Sequence, residues 1–225
     1  LKEQLGKPFA DPDMANRLYF RVLEDKEFTY ALFDQLARDF NGDMFPRNEL
    51  EEKAVGERHL RCLQNLLCGD IPPRLFFFAY KFDVIPIELI SSIYEEFYNT
   101  EKQAPRDKGT RYTPPALVEF LLSRILRHDS LKKNPRVLDL ACGSGIFLVE
   151  AFRRIVRFRM QAQGGRRLGL RQLRNILRQQ IAGVDINEEA VRIAAFSLYL
   201  ALLDYLRPPD ILRHIERGDR LPNLK

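Results

Sequence analysis

One short segment constrains this chain more than any other: Asp139-Leu140-Ala141-Cys142-Gly143-Ser144-Gly145-Ile146-Phe147. It sits where the apolar run Arg136 to Ala141 gives way to a helical pattern. The run predicts a short buried strand, and the apolar spacing after it predicts a helix from Ile146 to about Met160. Small residues between the two let backbone approach a ligand closely, and glycine permits the sharp turn. Free N–H groups at the start of the helix then favour an anionic group. A plain tight turn would need only the glycines. The carboxylate at Asp139 and the strand before it favour a ligand-binding turn.

A second carboxylate, Asp185, ends another apolar run, Gln180 to Ile186. In a mononucleotide-binding fold this place faces ribose hydroxyls, and a carboxylate there accepts two hydrogen bonds. The competing role is a helix N-cap, which falls more naturally to Asn187, with Glu188 and Glu189 in the first turn. The stretch between the glycine turn and Asp185 far exceeds the roughly 20 residues of a dinucleotide fingerprint. Gly143-Ser144-Gly145 also lacks a third glycine in the expected place, so a nicotinamide oxidoreductase is disfavoured. A helix is expected from Glu188 to about Leu206 and a third strand near Ile211 to Glu216. Strands alternating with helices predict an α/β fold with a parallel sheet.

The upstream half reads differently. Apolar residues recur at helical spacing from Asn16 to Phe40, and Asn41-Gly42-Asp43 punctuates them. One helix is expected over Glu49 to Leu67, a helix or short strand over Leu75 to Phe82, and another helix from Pro86 to Phe97. Residues 99–111 are polar and broken by Pro and Gly, as in a linker or surface loop. Residues 1–98 therefore form a mostly α-helical domain, 99–111 a linker, and 112–225 an α/β domain whose first helix opens at Pro114 and Pro115. The chain has 225 residues, 45% hydrophobic and 30% charged, which suffices for a core. Its net charge of +5 favours acidic partners, nucleic acid first among them. Cys62, Cys68 and Cys142 have no paired spacing, and His59, His128 and His214 are scattered, so neither a disulfide framework nor a metal site is expected. No membrane span or signal peptide is evident, which points to a reducing, cytoplasmic setting.

Four segments together resemble the amino-methyltransferases that act on adenine N6. Asp139 to Phe147 resembles their motif I, and Gly183-Val184-Asp185-Ile186-Asn187 their motif II. Arg111-Tyr112-Thr113-Pro114-Pro115 resembles motif X and Gly218-Asp219-Arg220-Leu221 motif III. The order X, I, II, III is that of type I modification subunits and type IIG restriction–modification enzymes. Phe33 to Phe45 and Ile85 to Phe97 resemble the helical segment that joins nuclease and methylase regions in the fused enzymes.

The resemblance implies a partial Rossmann-like class I methyltransferase sheet and S-adenosyl-L-methionine as cofactor. It implies double-stranded DNA as partner of the full-length protein, with a nuclease or specificity region in the same system. By the same resemblance Tyr112, Thr113 and Pro114 hold the methionine end, and Asp139 anchors its amino group. Ala141, Cys142, Gly143, Ser144 and Gly145 wrap the cofactor. Asp185 binds ribose, Ile186 packs on adenine, Asp219 accepts from the adenine amine and Arg220 lies beside that ring. Phe147 faces either cofactor or core, with core favoured.

The family's catalytic Asp/Asn/Ser-Pro-Pro-Tyr/Phe motif is not found: Pro72-Pro73, Pro114-Pro115 and Pro208-Pro209 all stand in other contexts. No catalytic residue is therefore assigned. The start at Leu1 and the end just after motif III suggest an excised piece, inactive alone. RNA or protein as acceptor, and a degenerate module kept for DNA binding or assembly, stand as alternatives. Cys142 has no base nearby in sequence and reads as a small loop residue rather than a nucleophile. Between the two motifs lies an arginine-rich insert that includes Arg166, Arg167 and Arg171. A solvated helix face, with Leu168, Leu170, Leu173, Ile176 and Leu177 buried behind it, is favoured there over a phosphate-contacting patch.

Overall fold

The computed structural model describes residues 21–39, 48–68, 89–90, 113–218 and 224. The expected elements over Leu75 to Phe82 and Pro86 to Phe97, and the linker 99–111, lie outside these residues apart from Leu89 and Ile90. The chain divides into two compact units, one holding described residues 21–38 and 48–68, the other Asp39 and those from 89 onward.

The first unit is helical where described. Helix α1 spans Lys26–Asp39. Asp25 starts it by accepting the Phe28 N–H at 3.0 Å. Buried Thr29 donates its hydroxyl to the carbonyls of Val22 and Asp25, at 2.8 and 2.9 Å. The single helix expected over Glu49 to Leu67 is two, α2 at Glu49–Ala54 and α3 at Glu57–Cys68. Asn48 caps α2 by accepting the N–H groups of Leu50 and Glu51. Val55 turns extended, and the Gly56 N–H bonds His59 Nδ1 at 2.9 Å, which starts α3 afresh.

The second unit opens with α4 at Pro115–Ile125 and the short α5 at His128–Lys132. Strand β1 covers Val137–Asp139, followed by α6 at Ile146–Ala162, α7 at Leu170–Gln180 and strand β2 at Ile181–Gly183. Helix α8 runs over Glu188–Leu203 and α9 over Pro208–Glu216. The two strands are parallel, with Val137 opposite Ile181 and Asp139 opposite Gly183. A parallel pair needs a crossover, and α6 with α7 supplies it.

The core lies where α6, α7 and α8 meet. Phe152, Leu173, Ile176, Tyr199 and Leu202 are fully buried there. A second cluster seats α4 on α6 through Val118, Leu122 and Ala151. Polar groups brace the same joints. Arg154 pairs with Glu119 of α4, and Arg159 bonds Gln180 Oε1 at 2.9 Å. Gln180 in turn donates to the Pro135 carbonyl at 3.0 Å, just ahead of β1.

Two further expectations are corrected. The strands are not buried on both faces: Leu138 and Leu140 are 59% and 74% exposed, and Val184 is 55% exposed. Val137 and Ile181 pack toward the core while the next residue on each strand, Leu138 and Ala182, is exposed on the other side, as strand alternation requires. The third strand expected near Ile211 to Glu216 is helix α9 instead. Pro208 and Pro209 suit a first helical turn, Asp210 is acidic there, and Arg213 and His214 are basic in the last turn. Among the described residues the sheet has two strands.

Phe152→Ala tests this core. The ring is fully buried and meets Tyr205 edge-on at 6.1 Å. The substitution is expected to cost about 3–5 kcal/mol in urea unfolding, whereas Leu50→Ala at a 79% exposed site should change little.

Candidate functional site

The corners after β1 and β2 are laced together. Val184 N–H donates to the Asp139 carbonyl at 2.8 Å, and Cys142 N–H to the Val184 carbonyl at 3.0 Å. These bonds carry the ladder beyond the two strands. The Asp185 carboxylate then closes the corner: Oδ2 accepts the Gly143 N–H and Oδ1 the Asn187 N–H, each at 2.8 Å. Asn187 itself caps α8, accepting the Glu189 N–H at 3.1 Å. The two carboxyl-bearing motifs, 46 positions apart from Asp139 to Asp185 in sequence, thus form one site.

Two glycines make this geometry possible. Gly145 has φ +90°, and a Cβ there would stand 2.7 Å from the Ala194 Cβ. Its bareness lets the start of α6 touch α8. Gly143 has φ +50° with no heavy atom within 4 Å of where a Cβ would be, so open space lies beside the loop. Asp139 Oδ1 accepts the Ala141 N–H at 3.1 Å and keeps the turn tight. Ala141 is exposed, while Cys142 and Ser144 are buried. Ile186, beside Asp185, is fully exposed.

The remaining expected residues are placed less closely. Pro114 precedes α4 and accepts the N–H groups of Leu117 and Val118, with Thr113 half-buried before it. Tyr112, Asp219 and Arg220 lie outside the described residues. Phe147 is half-buried and packs against the α4–α6 cluster. Ala194 was not anticipated. Its signal was present as a stripe of small residues at helical spacing: Ala190, Ala194, Ser197 and Ala201, all buried.

Cys142 is buried beside two carboxylates. Burial first, then the charges of Asp139 and Asp185, push its thiol up to about 11. The neutral thiol is therefore favoured in the folded state, and no thiolate nucleophile is available near neutral pH. No group of three or more His, Cys, Asp or Glu that could hold a metal occurs among the described residues. No described helix is long and apolar enough to cross a membrane.

Residues 86–210, more than half of the chain, match the family described as N-6 DNA Methylase. The chain belongs to the N-6 DNA methylase family. It is 38% identical over 94 residues to the adenine-specific methyltransferase PglX of Streptomyces coelicolor, covering 40% of this chain and 8% of that protein. It is 29% identical over 157 residues to the adenine-specific methyltransferase BrxX of Escherichia coli, covering 68% and 12%. It is 24% identical over 221 residues to the type II restriction enzyme and methyltransferase RM.Eco57I of Escherichia coli, covering 82% and 21%. The chain thus spans about a fifth or less of the length of these relatives. No solved structure matches at a significant level. Within this N-6 DNA methylase family member, the family match covers both laced corners.

Two measurements check the geometry. Gly145→Ala forces a Cβ against Ala194 and a residue other than glycine into positive φ, so it is expected to destabilise the fold by ~1–3 kcal/mol from overpacking, plus backbone strain. At pH 8, Cys142 should alkylate far more slowly than exposed Cys62. A thiol raised from 9.0 to about 11 holds about 100-fold less thiolate at that pH. The sign also fixes the alkaline limb: this contribution to stability is complete below pH 9 and is lost as pH rises through 11.

Proposed function

We propose that this chain is the cofactor-binding portion of a site-specific DNA methyltransferase. The full-length protein would transfer the methyl group of S-adenosyl-L-methionine to adenine N6 in a restriction–modification system. The relatives' names support this acceptor and this setting. The observation that carries the cofactor assignment is the corner itself. Asp185 is tied to the glycine loop through Gly143, beside open space, with the apolar Ile186 fully exposed next to it.

The donor set fits a nucleoside. Each Asp185 oxygen uses one lone pair on a backbone N–H and keeps another for a ribose hydroxyl. Ile186 offers an apolar surface that an adenine ring would cover. Asp139, Ala141, Cys142, Gly143, Ser144 and Gly145 line the loop that would hold the rest, with Tyr112, Thr113 and Pro114 at the methionine end. Asp219 would accept from the adenine amine, with Arg220 beside it. When bound, the cofactor supplies an electrophilic methyl on a sulfonium. The chain's part is to fix that donor in place, because methyl transfer depends on in-line positioning.

In this reading the β1–α6–α7–β2 unit is the start of a Rossmann-like class I methyltransferase sheet. Residues 1–98 would be a helical connector, 99–111 a linker, and 112–225 the N-terminal part of the methyltransferase domain. Asp139, Gly143, Gly145 and Asp185 are all present, with Gly143 bonded to Asp185, Asp139 holding the Ala141 turn and Gly145 seated on Ala194, which favours a working site over a degenerate module.

Calorimetric titration with S-adenosylhomocysteine tests the assignment. One site per chain is expected. Ile186→Ala should weaken it roughly 50-fold, since about three CH₂ equivalents of apolar contact, at about 0.8 kcal/mol each, are removed. Because Ile186 is fully exposed, the melting temperature should not move. Absence of binding to the folded wild-type chain, or an unchanged affinity in the variant, would sink the reading.

A further inference from the structure

A cavity of about 530 Å³ lies away from the glycine loop, between the start of α7 and helix α9. Four guanidinium groups line it, those of Arg167, Arg207, Arg213 and Arg217, with His214 among them. A single carboxylate, Asp210, faces them. That carboxylate is shared: it takes Arg207 Nε at 2.9 Å and also pairs with Arg213. Arg167 and Arg217 have no ion-pair partner among the described residues. Gly169 and Leu170, where α7 begins, form part of the wall, as does the last turn of α9 at Arg213 and His214, so the two helix-end dipoles offset and the net charge comes from the side chains.

The charge does not end at the cavity. Between Glu150 and Asp185 there are nine arginines and no acidic residue. Four have partners: Arg153 with Asp204, Arg154 with Glu119, Arg157 with Glu150, and Arg159 with Gln180. The other five, Arg166, Arg167, Arg171, Arg174 and Arg178, pair with no carboxylate among the described residues. Arg171, Arg174 and Arg178 share one face of α7, opposite buried Leu173, Ile176 and Leu177. This stripe is about 10 Å long at ~1.5 Å per residue. That length matches the rise of about three nucleotides along one strand, at ~3.4 Å each.

We propose that the Arg-lined cavity and the α7 stripe are a contact site for the phosphate backbone of double-stranded DNA. All the excess cations are arginines, whose planar fork takes a phosphate through two parallel bonds. Lysine is absent from the whole stretch from Glu150 to Asp185. No acidic side chain between Glu150 and Asp185 offsets the arginine charge on this face. The apolar side of α7 is already buried in the core, so the arginine side faces outward, available to a polyanion. The choice of duplex DNA over other polyanions rests on the function proposed above, while the phosphate chemistry does not.

The test is the salt dependence of duplex binding by the 225-residue chain, read by fluorescence anisotropy with a 20-base-pair duplex of arbitrary sequence and no cofactor. Replacing exposed Arg167, Arg171 and Arg217 by Ala should weaken binding at least tenfold at low salt. It should also lower the slope of log affinity against log salt by about 2 to 3. Replacing Arg21, Arg58 and Arg61, equally exposed and in the other unit, removes the same charge and should leave the slope nearly intact. Arg171→Gln with Arg174→Gln, which spares the cavity wall, should lower it by about 2 even if the triple variant is misfolded. Equal losses in both triple variants would mean net charge alone and would overturn the proposal. So would polyglutamate displacing the duplex at equal charge concentration, or single-stranded RNA binding more tightly. Since no cofactor is present, failure here leaves S-adenosylhomocysteine binding unaffected, and the two readings fail separately.

Discussion

The bond from the Gly143 N–H to Asp185 Oδ2 is the constraint on which the site depends. It joins two loops that belong to different strands and different helices. A charged acceptor makes such a bond worth ~1.5–3 kcal/mol, more than an ordinary one. The same carboxylate also takes the Asn187 N–H and so fixes the entry of α8. Through Gly145, the start of α6 is then held against Ala194 of α8. The Asp185 side chain, the backbone bonds of Val184 and the bare Gly145 together set the spacing of the loop, two strand ends and two helices. The core of Phe152, Leu173 and Tyr199 supplies the burial energy behind that arrangement, but it does not specify the loop.

Much of this was legible in the sequence because each part carries its own local signature. Gly143 and Gly145 mark positive φ, Asn187 followed by two glutamates marks a capped helix start, and the apolar runs flank them. Contact between the two corners was inferable only by analogy, because nothing local in Asp185 says which N–H it will meet. Strand burial is hidden in the sequence for a related reason. An apolar run such as Val137-Leu138-Asp139-Leu140 does not reveal how many of its faces are covered, and Leu138 and Leu140 stand open. At α9 the ambiguity is one of period. Ile211 and Leu212 adjoin like strand residues, but Ile215 lies four positions after Ile211. Pro208-Pro209 and the Arg207–Asp210–Arg213 pairs favour helix.

Charge behaved in a comparable way. The nine arginines of the insert are plain in the sequence, but their separation into paired and unpaired groups is tertiary. Arg153 finds Asp204, 51 positions later, and Arg154 finds Glu119 on α4. These partners turn four of the arginines into structural braces around α6. The five that remain lie beyond the end of α6 or on α7, where no acidic residue occurs. The favoured expectation of buried leucines behind the insert holds, since Leu168, Leu170, Leu173, Ile176 and Leu177 are all buried. It concerns the inner face of α7 and leaves the outer one undetermined.

The double engagement of Asp185 also governs how its replacement must be interpreted. Both oxygens accept N–H donors, so an isosteric amide cannot satisfy the site: its oxygen serves one donor and its NH₂ confronts the other. A loss of cofactor affinity in such a variant would mix a lost ligand contact with a displaced loop. Ile186 separates the two effects, because it touches nothing in the folded chain and can be altered without moving Gly143. A carboxylate that organises the loop before any ligand arrives is also what preorganisation requires. The cost of ordering the glycine turn is met during folding, and binding need not supply it again. The residue that shapes the cradle and the residue that would grip a ribose are then the same, and its structural half is already visible in the geometry.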